Sequence, residues 1–195
     1  MSAQSSASDG GEPDGPAASG PAPAGQLAKT VALVGLMGVG KSTVGRKLAE
    51  SLGAAFIDSD DEIEKAAGLS VQEIFDRLGE PEFRRGERRV IERLLNGPPI
   101  VLATGGGAFM DEGTRMLMKQ KATTVWLRAD LDVIWRRVSR RDTRPLLKRD
   151  NPKQVLADLN AARAPVYAEA DIVVDSGDGP AGEAVKAIRE KLGFA

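Results

Sequence analysis

Short apolar runs alternate with amphipathic stretches along most of this chain. Thr30–Val34, Ala54–Ile57, Pro99–Thr104, Thr123–Leu127 and Ile172–Val174 read as strands, the first a β-branched run of the kind that buries both faces. After the first of them, Val44, Leu48 and Leu52 recur at helical spacing, and Gly53 is placed to end that helix. Ser70-Val71-Gln72-Glu73 has the form of a capping box, and Phe83, Val90, Ile91, Leu94 and Leu95 give the stretch beyond it an apolar helical face. Strands alternating with helices predict an α/β fold, a mostly parallel sheet covered by helices on both sides. A ligand of such a sheet belongs at the carboxyl ends of its strands.

The pattern begins late. Residues 1–28 are rich in Gly, Ala, Ser, Pro and Asp and contain no apolar run, so they read as a disordered tail before a single domain over 29–195. The tail has no basic segment followed by a hydrophobic one, and Asp9, Glu12 and Asp14 argue against an organellar transit peptide. No apolar stretch is long enough to span a bilayer, and the expected location is the cytoplasm. A formal net charge of −1 gives no global attraction to nucleic acid or to an anionic membrane. The chain has neither cysteine nor histidine, which excludes disulfides, thiol nucleophiles and imidazole bases. Chemistry must come from carboxylates, lysine, arginine and backbone.

Between the first strand and its helix lies Gly35-Leu36-Met37-Gly38-Val39-Gly40-Lys41-Ser42-Thr43, the phosphate-loop pattern G-x-x-x-x-G-K-[ST] in its required context. Glycines let successive N–H groups approach an anion, and the helix N-terminus adds partial positive charge. The predicted occupant is a nucleotide polyphosphate cradled by Gly38, Val39, Gly40, Lys41, Ser42 and Thr43, with Lys41 reaching the β- and γ-phosphates and the Ser42 hydroxyl on Mg²⁺. Thr43 has no assigned chemistry beyond the pattern and could equally face the core.

Two further motifs fall at the same sheet edge. Asp58-Ser59-Asp60 follows the second strand; read as a continuation of it, the segment brings both acids to the sheet edge of the phosphate loop, where one could face a metal and the other an acceptor molecule. The plainer reading is a helix N-terminus carrying acids. Gly105-Gly106-Gly107 ends the third strand, whether as bare backbone against a ligand or as a flexible turn. No aspartate stands there, so Asp58 is the better metal-side carboxylate. Arginines cluster from Arg136 to Arg149 against the single acid Asp142. Arg136, Arg140 and Arg141 suit a solvated helix face, whereas Arg144, fixed by Pro145-Leu146-Leu147, leads into a segment that reads as a mobile lid. Arg163 sits near the end of the next helix, where complementing the helix dipole is its plainer role.

The phosphate loop, Asp58-Ser59-Asp60, Phe83-Arg84-Arg85, Gly105-Gly106-Gly107, Arg144-Pro145-Leu146-Leu147 and Arg163-Ala164-Pro165-Val166-Tyr167, in this order, closely resemble the shikimate kinase family from about residue 30 onward. The resemblance implies a P-loop NTPase of nucleoside-monophosphate-kinase-like, three-layer architecture with a five-stranded parallel sheet, a substrate-binding region at about 59–96 and a lid at about 142–153. It implies transfer of the ATP γ-phosphoryl group to the 3-hydroxyl of shikimate with Mg²⁺ as cofactor, on the way to chorismate and the aromatic amino acids, in what is usually a monomer. Carried over residue by residue, Lys41, Asp60 and Arg144 are catalytic, Ser42 and Asp58 serve the metal, and Arg137 and Arg144 face the nucleotide. Asp60, Arg84, Gly105, Gly106, Gly107 and Arg163 bind shikimate, with Arg84 and Arg163 clamping its carboxylate. Carboxylates suit hydroxyls and guanidinium forks suit a carboxylate, which agrees with that assignment. Two features depart from the family pattern: the tail, and Asp175-Ser176-Gly177-Asp178-Gly179-Pro180 after the last strand, where relatives often carry a basic residue near adenine. A gluconate or other small-metabolite kinase of the same fold, or a kinase-like protein that binds without transfer, are the competing readings.

Overall fold

The computed structural model describes residues 27–140 and 151–194. Five strands, β1 (Thr30–Val34), β2 (Phe56–Asp58), β3 (Val101–Ala103), β4 (Ala122–Arg128) and β5 (Ile172–Asp175), form one parallel sheet in the order β2-β3-β1-β4-β5. Helices α1 (Lys41–Leu52), α2 (Ser59–Ala67), α3 (Val71–Leu95), α4 (Glu112–Lys121), α5 (Leu131–Val138), α6 (Pro152–Tyr167) and α7 (Ala181–Lys191) connect and cover it. All five predicted strands are present. β1 coincides with the apolar run that announced it, and the other four are one to three residues shorter or longer than theirs.

Every residue of β1 is buried, as expected for the strand with neighbours on both edges. From β1 the chain passes to β2 on one side and later from β3 to β4 on the other, so the strand order reverses beside β1. A crevice opens at the carboxyl end of such a reversal. Gly53 ends α1 in the left-handed conformation, and the Ser70–Glu73 capping box opens α3 with both reciprocal bonds made.

Three details correct or sharpen the sequence reading. β2 stops at Asp58, and Asp60 lies in the first turn of α2 rather than on a continued strand. Asp58 is the N-cap of α2, its Oδ1 accepting from the Asp60 N–H at 3.2 Å, and Asp60, Asp61 and Glu62 follow where the helix end favours negative charge. Second, α3 is broken at Gly79 (φ 80°, ψ 168°), just ahead of Pro81, so its two halves run in different directions. Third, Leu27, assigned to the tail, is buried in the hydrophobic core, so ordered packing starts before residue 29.

Candidate active site

The loop from Gly35 to Gly40 wraps a cleft of about 1650 Å³ at the carboxyl edge of the sheet. Gly38 and Gly40 hold φ of 82° and 101°, conformations that L side chains rarely adopt, and they bring the loop round to the N-terminus of α1. Lys41 opens that helix and turns its Nζ back to the rim of the loop, donating to Gly35 O at 2.8 Å and Leu36 O at 3.0 Å. Ser42 and Thr43 are exposed, and both line the cleft; Thr43 does not face the core. Val39 is itself buried and contributes its backbone, its carbonyl accepting from Arg137 and from the Ser176 hydroxyl at 3.0 and 2.8 Å.

The Ser42 hydroxyl donates to Asp58 Oδ2 at 2.7 Å, so the two residues named for the metal meet. No cluster of three or more acidic ligands that could cage a metal exists among the described residues. One carboxylate beside one hydroxyl is nevertheless the set that suits Mg²⁺, which keeps several waters and takes its remaining oxygens from phosphates.

Asp60 projects from the first turn of α2 to the end of β3. A Cβ on Gly105 would stand 2.8 Å from Asp60 Oδ1 and 2.9 Å from Glu87 Oε1, so both acids converge on a backbone position that only glycine leaves open. Burial, followed by the nearby charge of Asp58, pushes the Asp60 carboxyl up to about 6. Glu87 is fully buried, and burial raises its carboxyl against the opposing attraction of Arg84. Arg84 donates to Glu87 Oε2 at 2.6 Å and to Glu80 Oε1 at 3.1 Å, and its guanidinium lies against Gly107. Glu87 Oε1 has no hydrogen-bond donor among the described residues. Arg85, by contrast, points outward to pair with Glu82.

Arg163 reaches in from α6, donating to Gly106 O at 3.0 Å, and lines the cleft. The structure therefore gathers Asp60, Arg84, Gly105, Gly106, Gly107 and Arg163 around one patch beside the phosphate loop. Arg137 stands at the opposite end, on Val39 O and the Ser176–Gly177 segment after β5. Arg136 is an exposed partner of Asp178, the solvated role expected of it, while Arg140 is exposed at the cleft wall. Arg144, Arg141 and the proposed lid apart from its last residues lie outside the described residues.

Three residues of the site were given no role from the sequence. Glu87 left a signal, an acid on the apolar stripe of Phe83, Val90, Ile91 and Leu94. Tyr167 is the only tyrosine of the chain and stands one turn beyond Arg163, spacing that puts both on one helix face. Ser176 has no sequence signal; its buried hydroxyl matters because the fold brings β5 to the phosphate loop.

A phosphate loop before α1 at the reversal of a five-stranded parallel sheet, with a hydroxyl–carboxylate pair beside it, defines a P-loop NTPase of the nucleoside-monophosphate-kinase-like class. Within that class, residues 37–193 match the family model described as shikimate kinase. A shikimate kinase from Caulobacter vibrioides is 60% identical over 165 residues, covering 85% of this chain and 82% of that protein. One from Paramagnetospirillum magneticum is 56% identical over 154 residues, 79% of each chain. The solved shikimate kinase from Acinetobacter baumannii, in complex with shikimate, superposes with a TM-score of 0.80 at 41% identity over 85% of this chain and 93% of that one. The chain belongs to the shikimate kinase family.

Proposed function

We propose that the chain transfers the γ-phosphoryl group of ATP to the 3-hydroxyl of shikimate. The observation that carries this reading is the meeting of two guanidinium groups, Arg84 and Arg163, on the Gly105–Gly107 turn next to the carboxyl of Asp60. An anionic polyol needs that combination: forks for its carboxylate and an acid for its hydroxyls.

Asp60 orients the attacking hydroxyl. As the bond from that oxygen to the γ-phosphorus forms and the bond to the bridging oxygen of ADP breaks, the hydroxyl proton passes to the Asp60 carboxylate and from there to solvent. Lys41 stands where negative charge gathers on the transferring group, and Arg144 adds a second cation from the segment that follows α5. Ser42 and Asp58 hold Mg²⁺, which neutralises charge on the phosphate oxygens when bound. Gly38, Val39, Gly40 and Thr43 form the cradle, and Arg137 fixes the loop to the segment after β5 on the nucleotide side. In this reading the chain is a cytoplasmic monomer, a single copy of which supplies Lys41, Ser42, Asp58, Asp60 and Arg163 to the cleft.

ADP release measured with shikimate, gluconate and nucleoside monophosphates tests the assignment, and turnover is expected with shikimate alone. Faster turnover of gluconate would transfer the reading to another small-metabolite kinase, and binding without turnover would make the chain a non-catalytic receptor. Light scattering near 20.6 kDa tests the monomer.

A further inference from the structure

Gly106 O accepts two hydrogen bonds, one from Arg163 and one from the hydroxyl of Tyr167. Both donors come from α6, one turn apart. Tyr167 is fully buried, and its ring stacks on Trp126 with centroids 5.9 Å apart and planes inclined by 27°. We infer that Tyr167 is a positioning residue for the acceptor. Its hydroxyl holds the Gly105–Gly107 turn against the phosphate loop, and this frees Arg163 to leave the turn for the carboxylate of the substrate. The inference rests on the acceptor chemistry proposed above.

The geometry leaves the turn little slack. A Cβ built on Gly106 would stand 3.3 Å from Met37 N and 3.6 Å from Gly35 O, so the turn abuts the phosphate loop backbone to backbone. The aromatic pair touches the same loop from another side: a Cβ on Gly35 would meet Trp126 Cδ1 at 3.3 Å. Gly35 O is also an acceptor for Lys41.

A guanidinium that serves a carboxylate must give up its previous acceptor or share itself. If Arg163 were the sole donor to Gly106 O, its departure would leave a half-buried carbonyl unpaired, a cost charged against substrate binding. With Tyr167 as the second donor, the carbonyl stays satisfied and the turn stays in register. Burial raises the pKa of the Tyr167 hydroxyl, so the donor keeps its proton throughout the neutral range.

Tyr167→Phe keeps the ring and removes only the donor. Steady-state kinetics in both substrates, calorimetric binding of shikimate without nucleotide, and the preference for shikimate over its carboxamide are the readouts. Loss of one such bond should raise KM and Kd for shikimate about threefold to tenfold. KM for ATP should stay within about twofold, and the preference over the carboxamide should shrink, because the defect lies at the carboxylate clamp. An unchanged shikimate Kd overturns the inference, as does an equal rise in both KM values, which is what general loosening gives. Should Tyr167→Phe fold poorly, Trp126→Phe removes part of the stack while leaving the hydroxyl, and the same split between substrates is expected; equal effects again overturn it. A wild-type chain without shikimate-dependent ADP release defeats the proposed reaction itself, whereas wild-type turnover with an unaltered Tyr167→Phe defeats only this inference.

Discussion

Asp60 shows what the site asks of a single residue. Its carboxyl ordinarily titrates at 3.8 and is raised to about 6, by burial first and then by Asp58. The native state therefore binds a proton that the unfolded chain releases between those values. Asp60 costs the fold nothing below about pH 3.8, and stability falls as pH rises through the window up to about 6. In the proposed reaction activity runs the other way, because an acceptor of the hydroxyl proton must be ionised, so kcat/KM for shikimate should fall as pH drops below about 6. Asp60→Asn separates the two. Turnover should drop on the order of a hundredfold to ten-thousandfold with Mg-ATP binding retained, since the amide cannot take the proton and places N–H donors where an oxygen stood. The same variant should be more stable at pH 8 by about 1–2 kcal/mol, the shift discounted for partial solvent screening, and this gain should vanish by pH 4. Melting curves at the two pH values and a pH–rate profile check both halves. Asp58→Asn should instead change the Mg²⁺ dependence, because Asp58 meets Ser42.

At the scale of elements, the sequence announced the parts better than their ends. The phosphate loop was legible because its spacing and both flanks agree, and the capping box because two short-range bonds define it. The end of β2 was not. An extended and a helical Asp58-Ser59-Asp60 differ by one local choice, and the side chain of Asp58 makes that choice by capping α2. The break in α3 lies at Gly79 just ahead of Pro81, a pair that ends or redirects a helix, and Gly79 (φ 80°, ψ 168°) occupies a region essentially reserved for glycine. It redirects the half of α3 that carries Arg84 and Glu87 toward the Gly105–Gly107 turn. Gly79→Ala should therefore cost about 1–3 kcal/mol in stability. It should also raise KM for shikimate more than KM for ATP, since only the acceptor side hangs on that half-helix. A melt that is unchanged, or a defect confined to ATP, would contradict the role given to the kink.

For the molecule as a whole, the first buried residue among those described is Leu27. Residues 1–26 have the composition of a segment that cannot bury enough apolar surface to offset ordering, and their removal should leave kcat, both KM values and the melting temperature unchanged. Leu27 differs because it is 8% exposed and packs in the same core as Val31 and Ala122. Burying a leucine contributes about 1.5–3 kcal/mol, so Leu27→Ser, or a deletion extended through residue 27, should lower the melting temperature by roughly 3–10 °C for a domain of this size. It should do so without touching catalysis. Leu27 precedes the amino end of β1, whereas the phosphate loop leaves its carboxyl end, and five strand residues at about 3.3 Å each put roughly 16 Å of rigid, fully buried strand between them. The sheet transmits little of a packing defect along that distance while it stays folded. Kinetics measured well below the melting point should consequently show normal KM values for both substrates, and a raised KM for shikimate or ATP in Leu27→Ser would mean that the two ends of β1 are coupled.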